Sequence, residues 1–125
     1  MKSPEMHPLN AILRFSLEIA ALGSFGYWGW HHFTGVPQWI IAIGLPLLIA
    51  TVWGIFRVPG DASASGEAVV PVSGLTRLSL ELAMFVFAAM CLFASDQFDF
   101  GGIFSGLVLF HYLSSIKRIK WMLRN

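Results

Sequence analysis

Hydrophobic residues dominate four long stretches of the chain, and polar residues are gathered between them. A bilayer core about 30 Å thick is crossed by roughly 20 residues of α-helix. Four stretches have that length: residues 9–33, 36–56, 75–95 and 101–122. Barrel strands are not expected, because the runs lack short-period alternation and a spanning backbone must satisfy its own hydrogen bonds. The pattern predicts four membrane-spanning helices in a single membrane domain, residues 1–125.

The connections between these helices differ in length. The first two helices are joined by the short sequence HFTGVPQ, and the last two by SDQFDFGG. Between them, residues 57–74 are rich in Pro, Gly, Ser and Ala, a composition typical of a flexible surface linker. The chain is therefore expected to form two helical hairpins joined by this linker.

The distribution of charge gives an orientation. Charged residues make up 12% of the chain, about half the share usual in soluble domains, which supports a lipid bilayer as its partner. All eight basic residues fall on one side of the predicted spans: Lys2, Arg14, Arg57, Arg77, Lys117, Arg118, Lys120 and Arg124. Because Lys and Arg stay on the cytoplasmic side, both termini and the linker are expected in the cytoplasm. Nucleic acid is not an expected partner, since no basic patch with interleaved aromatic residues is present.

One motif occurs twice. RFSLEIA, residues 14–20, and RLSLELA, residues 77–83, share five of seven letters, and each lies where a predicted span begins. The repeat predicts an all-α, four-helix integral membrane bundle built from two parallel hairpin repeats.

The repeated charges are expected to form an intramembrane cluster of Arg14, Glu18, Arg77 and Glu81. In each copy the arginine and glutamate are four residues apart and share a helix face. We expect the pairs to cross, with Arg14 facing Glu81 and Arg77 facing Glu18. The cluster has two interpretations: it clamps the hairpins together, or one glutamate carries protons or binds a cationic substrate.

A second set of polar residues is predicted to join the glutamates in a cytoplasmic-side pocket: Thr51, His111 and Ser115. His111 is either a functional ionisable group or a neutral histidine held by a hydrogen bond. No two histidines have the spacing of metal or haem ligands, so no metal and no cofactor are expected. No nucleophile motif is present either, and the chain is not expected to be an enzyme.

Three segments resemble a known family: LRFSLEIAALGSFGYWGW at 13–30, GLPLLIATVWGIFRVP at 44–59, and RLSLELAMF at 77–85. They resemble the YrdB-like family of four-span bacterial membrane proteins, over essentially the whole membrane portion. The resemblance implies the fold and a multi-pass location in the bacterial cell (inner) membrane, and it implies no activity. The long linker and His111 are not part of the resemblance.

Two functions stay open at this point. The first is a non-enzymatic inner-membrane protein whose Arg and Glu residues organise the bundle, acting as the subunit of an unknown membrane partner. The second is a small proton-coupled exporter acting as a homodimer, by analogy with small four-span transporters that carry a first-helix glutamate. Glutamates bonded to arginines favour the first function, and glutamates lining an aqueous cavity favour the second.

Overall fold

The computed structural model describes residues 3–61 and 69–125, and this part of the chain is helical apart from one small strand pair. The described elements follow in chain order: α1 (Pro8–His32), α2 (Gly35–Ile55), β1 (Phe56–Arg57), β2 (Val70–Pro71), α3 (Gly74–Ala94), α4 (Phe98–Ser114) and α5 (Ile116–Arg124). The predicted all-α class is confirmed. Two helices, α2 and α3, are long and apolar enough to cross a membrane, and α4 is a shorter apolar helix.

Local sequence signals set the helix starts. Pro8 lies in the first turn of α1, where its missing N–H costs nothing, and the side chain of His7 accepts a hydrogen bond from the Leu9 amide. Ser73 caps α3 by accepting from the Thr76 amide at 3.2 Å. The turn from α3 to α4 passes through Asp96, whose φ of 60° is uncommon for a residue other than glycine.

The first helix is the centre of the bundle. It contacts α2, α3 and α4, whereas α2 has few contacts with α3. The core is formed by buried residues from α1, α3 and α4: Leu17, Ala21, Phe25, Met84, Phe85, Ala88, Phe104 and Tyr112. No residue of α2 is buried, although nearly every one is apolar. The outside of the bundle is therefore strongly hydrophobic.

The fourth predicted span differs from the structure. One continuous helix over residues 101–122 was expected, but α4 ends at Ser114 and a separate helix begins at Ile116. The break lies at Ser115, where φ is −110° and ψ is 26°. The prediction of one continuous helix is wrong at Ser115, and Arg118 of the separate helix α5 is held by Asp61 and Glu81. The short helix α5 instead buries one face: Arg118, Trp121 and Met122.

The predicted linker is partly structured. β1 and β2 pair in parallel, with Phe56 opposite Val70 and Arg57 opposite Pro71. Val58 is buried in a small apolar cluster with α5, and Asp61 is also buried. Both ends of the predicted linker over 57–74 thus contain paired or buried residues, and its middle, residues 62–68, lies outside the described residues.

Candidate functional site

A buried carboxylate lies at one end of the bundle. Glu81, on the second turn of α3, is 0% exposed. Its Oε1 accepts hydrogen bonds from Tyr112 Oη at 2.8 Å, Arg14 Nη1 at 3.1 Å and Arg118 Nη1 at 3.1 Å. Its Oε2 lies 2.6 Å from Arg118 Nη2, 3.0 Å from Arg14 Nη2 and 3.2 Å from Arg77 Nε. Glu81 thus uses both oxygens to bind three arginines and a tyrosine, which satisfies a carboxylate's acceptor capacity.

Two of these arginines have a second carboxylate each. Arg14 Nε lies 3.1 Å from Glu18 Oε1, one turn further along α1. Arg118 donates from Nε and Nη2 to the two oxygens of Asp61 at 2.9 and 2.7 Å, a bidentate pair. With Glu81, three carboxylates therefore face three guanidinium groups. We call these six residues the Glu81 cluster: Arg14, Glu18, Asp61, Arg77, Glu81 and Arg118.

The third arginine binds the end of a helix instead. Arg77 Nη1 donates to the carbonyl oxygens of Trp53 and Phe56 at 2.5 and 2.6 Å, where α2 ends and its last carbonyls have no helical partner. Its guanidinium carbon also lies 3.9 Å from the centre of a Trp53 ring, a cation–π contact. Arg77 therefore fixes the end of α2, whose own side chains are not buried.

A chain of hydrogen bonds leads from the cluster to the start of α1. His111, 0% exposed, has its Nε2 3.3 Å from Arg14 Nη1 and its Nδ1 2.7 Å from Asn10 Oδ1. Because a guanidinium can only donate, Nε2 is the acceptor and Nδ1 carries the proton. Asn10 then donates from Nδ2 to Ser115 Oγ at 2.7 Å. His111 is thus a neutral link between the cluster and the break that separates α4 from α5.

The predicted charge cluster is brought together, with one change in its pairing. Arg14 reaches across to Glu81, as expected. Arg77 also pairs with Glu81, at i+4 on its own helix, instead of facing Glu18. The two glutamates consequently differ: the Glu18 side chain is 23% exposed and the Glu81 side chain is 0% exposed.

The predicted polar pocket is only partly assembled. His111 and Ser115 join the network described above. Thr51 does not: it is exposed, and its hydroxyl donates to the Leu47 carbonyl of its own helix at 2.8 Å. A threonine inside a helix commonly satisfies its hydroxyl in this way.

Four residues of the network were not among the predicted site residues: Asn10, Asp61, Tyr112 and Arg118. Arg118 had a weak signal, since it lies seven positions after His111 and would share its face on a continuous helix. Asp61 stands in a sequence typical of a linker, and Tyr112 is indistinguishable from an apolar core residue by pattern. Their positions depend on contacts between distant parts of the chain.

Within residues 3–61 and 69–125, no group of three or more His, Cys, Asp or Glu side chains is placed to hold a metal ion. Both oxygens of Glu81 are engaged by side chains of the described residues, and the carboxylate is 0% exposed.

Comparison with known proteins agrees with the sequence resemblance. Residues 12–109 match the family described as "Protein of unknown function (DUF2568)". The chain is 40% identical over 119 residues to the uncharacterized protein YrdB of Bacillus subtilis (strain 168), covering 95% of this chain and 97% of that protein. No solved structure matches the chain. On the length and identity of these matches, the chain belongs to the DUF2568 family and is a relative of YrdB.

Proposed function

We propose that this protein is a non-enzymatic, four-span protein of the bacterial cytoplasmic membrane, in which the Glu81 cluster locks two helical hairpins together. Helices α2 and α3 have the length and composition of spans. Helices α1 and α4 pack against α3 in the same bundle, which supports counting them as spans too. The exposed apolar surface of the bundle is large, as expected for a surface in contact with lipid.

The observation that carries the proposal is the full engagement of Glu81 by groups from both hairpins. Arg14 comes from the first hairpin, whereas Arg77, Tyr112 and Arg118 come from the second half of the chain. A buried charge network of this kind adds little net stability compared with apolar packing, but it penalises every other arrangement of its members. We infer that the cluster selects one register of the two hairpins and keeps it.

A fixed bundle suits the role of a partner subunit. The apolar side of α2, with Ile40, Ile43 and Leu47 more than half exposed, is open to lipid, to a second copy or to another membrane protein. A photo-crosslinking amino acid at Ile40 tests this role in cells. A discrete protein adduct supports a subunit role, and adducts with lipid alone contradict it.

The orientation follows from the basic residues and is tested by cysteine labelling. In a Cys91→Ser background, Thr34→Cys and Lys120→Cys place one thiol at each end of the bundle. Because the basic end is expected in the cytoplasm, a membrane-impermeant maleimide should label Thr34→Cys in intact cells and Lys120→Cys only after permeabilisation. Labelling of both thiols in intact cells contradicts the proposed topology.

The residual exposure of Glu18 favours a second candidate function, a proton-coupled exporter acting as a homodimer. Glu18 is the less buried of the two repeated glutamates. An apolar cavity of about 680 Å³ between α2 and α3, lined by Phe25, Trp53 and Met84 among others, has room for a hydrophobic compound. Vesicles with an imposed proton gradient decide between the candidates. The exporter requires gradient-driven efflux of a lipophilic cation that Glu18→Gln abolishes, whereas a structural protein shows no such efflux in either form.

A further inference from the structure

The outward side of α5 carries an uncompensated positive edge. Its basic residues Lys117, Lys120 and Arg124 are exposed and, at 100° per residue, fall on one side of the helix. None of the three forms an ion pair with a carboxylate of residues 3–61 or 69–125. Next to this edge lies an apolar one, where Ile116 is 45% and Leu123 59% exposed. A helix with adjacent basic and apolar edges is typical of the membrane interface.

The positive edge borders a cleft. This cleft, of about 600 Å³, is bounded by α5 and the N-terminal segment, and its described lining contains no Asp or Glu. The lining residues are Ser3, Pro4, Lys117, Lys120, Trp121, Arg124 and Asn125. The indole Nε1 of Trp121 is buried and has no hydrogen-bond acceptor within the described part of the chain. The cleft therefore gathers three cations with no carboxylate in its described lining, which is the chemistry that binds an oxyanion.

A second cleft adjoins the first at Lys117 and Pro4. It measures about 650 Å³ and lies between the start of α1 and the junction of α4 with α5. Leu9, Leu13 and Phe110 form an apolar wall of this cleft, and its remaining lining is partly polar and includes Glu5. Together the two clefts form one groove, which we call the α5 groove, with a cationic end and an apolar end.

We propose that the α5 groove holds an anionic phospholipid of the cytoplasmic leaflet, with its phosphate beside Lys117, Lys120 and Arg124 and an acyl chain along Leu13 and Phe110. The groove's two ends match the two parts of such a lipid, and a free anion would leave the apolar end unused. The proposal rests on the membrane location proposed above and adds a ligand class to it. It is independent of whether the Glu81 cluster acts as a lock.

The test uses the full chain in a neutral detergent. Dioleoylphosphatidylglycerol and dioleoylphosphatidylcholine are titrated separately, and retained lipid is counted by native mass spectrometry. Each basic residue close to an anionic surface strengthens binding about fivefold, so a triple variant lacking all three is expected to retain phosphatidylglycerol roughly a hundredfold less well. The variant is Lys117→Gln/Lys120→Gln/Arg124→Gln.

Two control variants separate the groove from net charge. His31→Glu/His32→Glu/Thr34→Glu adds three negative charges at the opposite end of the bundle, the same change in formal charge, and is expected to bind phosphatidylglycerol like the wild type. Lys117→Arg/Lys120→Arg/Arg124→Lys keeps the charge and is also expected to bind.

Four results would overturn the proposal. Equal retention of the two lipids would show that binding does not require a negative charge. Unchanged retention by the triple glutamine variant would show that the lipid does not bind in the α5 groove. Loss of binding in the opposite-end variant shows a bulk charge effect. Displacement of the lipid by inorganic phosphate at equal concentration assigns the site to a free oxyanion instead. A chain that stays soluble without detergent would contradict the membrane proposal itself, a result distinct from the other four.

Discussion

Neutralising Glu81 is the sharpest perturbation of the cluster, because this one side chain is shared by three arginines. In Glu81→Gln the shape is retained and the negative charge is lost. Arg14 keeps Glu18 and Arg118 keeps Asp61, whereas Arg77 keeps the carbonyl oxygens of Trp53 and Phe56 and the Trp53 ring but loses its carboxylate partner. The substitution therefore leaves a buried guanidinium without a counter-charge among the described residues.

The expected cost follows from burial. Breaking a buried ion pair by removing one partner costs about 3–5 kcal/mol, since the remaining charge stays out of water. Glu18→Gln is the matched control, at the equivalent position of the other repeat copy. Glu18 is partly exposed, and among the described residues its ion pair is with Arg14, so its loss is expected to cost about 1 kcal/mol. The two variants should thus differ by at least about 2 kcal/mol.

Unfolding in mixed micelles measures this difference. The purified chain in dodecyl maltoside is titrated with sodium dodecyl sulfate, and helix content is followed by circular dichroism. A double variant, Glu81→Gln/Arg77→Met, removes the unmatched charge as well and should recover part of the loss. Equal destabilisation by Glu81→Gln and Glu18→Gln would refute the reasoning, because it would mean that burial and the number of partners do not decide the cost.

Three further predictions use the same unfolding measurement. Tyr112→Phe removes the hydroxyl that donates to Glu81. It is expected to lower the free energy of unfolding by about 1.5–3 kcal/mol, the usual contribution of a hydrogen bond to a charged group. An unchanged free energy of unfolding would mean that the arginines alone satisfy Glu81. Gly74→Ala places a methyl group against the backbone of α5 and is expected to cost about 1–3 kcal/mol, whereas Gly23→Ala enters open space and should stabilise α1 by up to about 1 kcal/mol. Equal effects of the two alanines would contradict the close contact of α3 with α5. Asp96→Gly removes the steric strain of a left-handed backbone conformation and is expected to stabilise the chain by about 1 kcal/mol. A destabilised variant would show that the Asp96 side chain itself stabilises the turn.

Helix ends were predictable where strong local signals mark them. The first three predicted spans, 9–33, 36–56 and 75–95, agree within one residue with α1, α2 and α3. The three helices begin at Pro8, at Gly35 and directly after Ser73, residue types that start or cap a helix regardless of the rest of the fold. The break at Ser115 has no Gly or Pro, and the Ser115 side chain does not cap α5. It depends on Arg118 reaching Asp61 and Glu81, which lie 57 and 37 residues away along the chain.

The site shows the same division between local and distant information. The repeated motif indicated that Arg14, Arg77 and Glu81 meet, because like positions on parallel hairpins face each other. Asp61 was missed because its sequence is rich in residues typical of loops, and only the tertiary fold buries it. Thr51 was placed in the pocket on polarity alone, although its own helix can satisfy a hydroxyl.

The contacts of the three arginines connect the two halves of the chain. Arg14 to Glu81, Arg118 to Asp61, and Arg77 to the last carbonyls of α2 all join one side of the 62–68 segment to the other. The 62–68 connection is therefore not what pairs the hairpins. Lengthening it costs only about 0.6 kcal/mol of loop-closure free energy for each doubling of its length. Two separate polypeptides cut at this segment carry complementary halves of the same charge pattern. Such fragments, synthesised apart in one membrane, contain what they need to find each other and assemble.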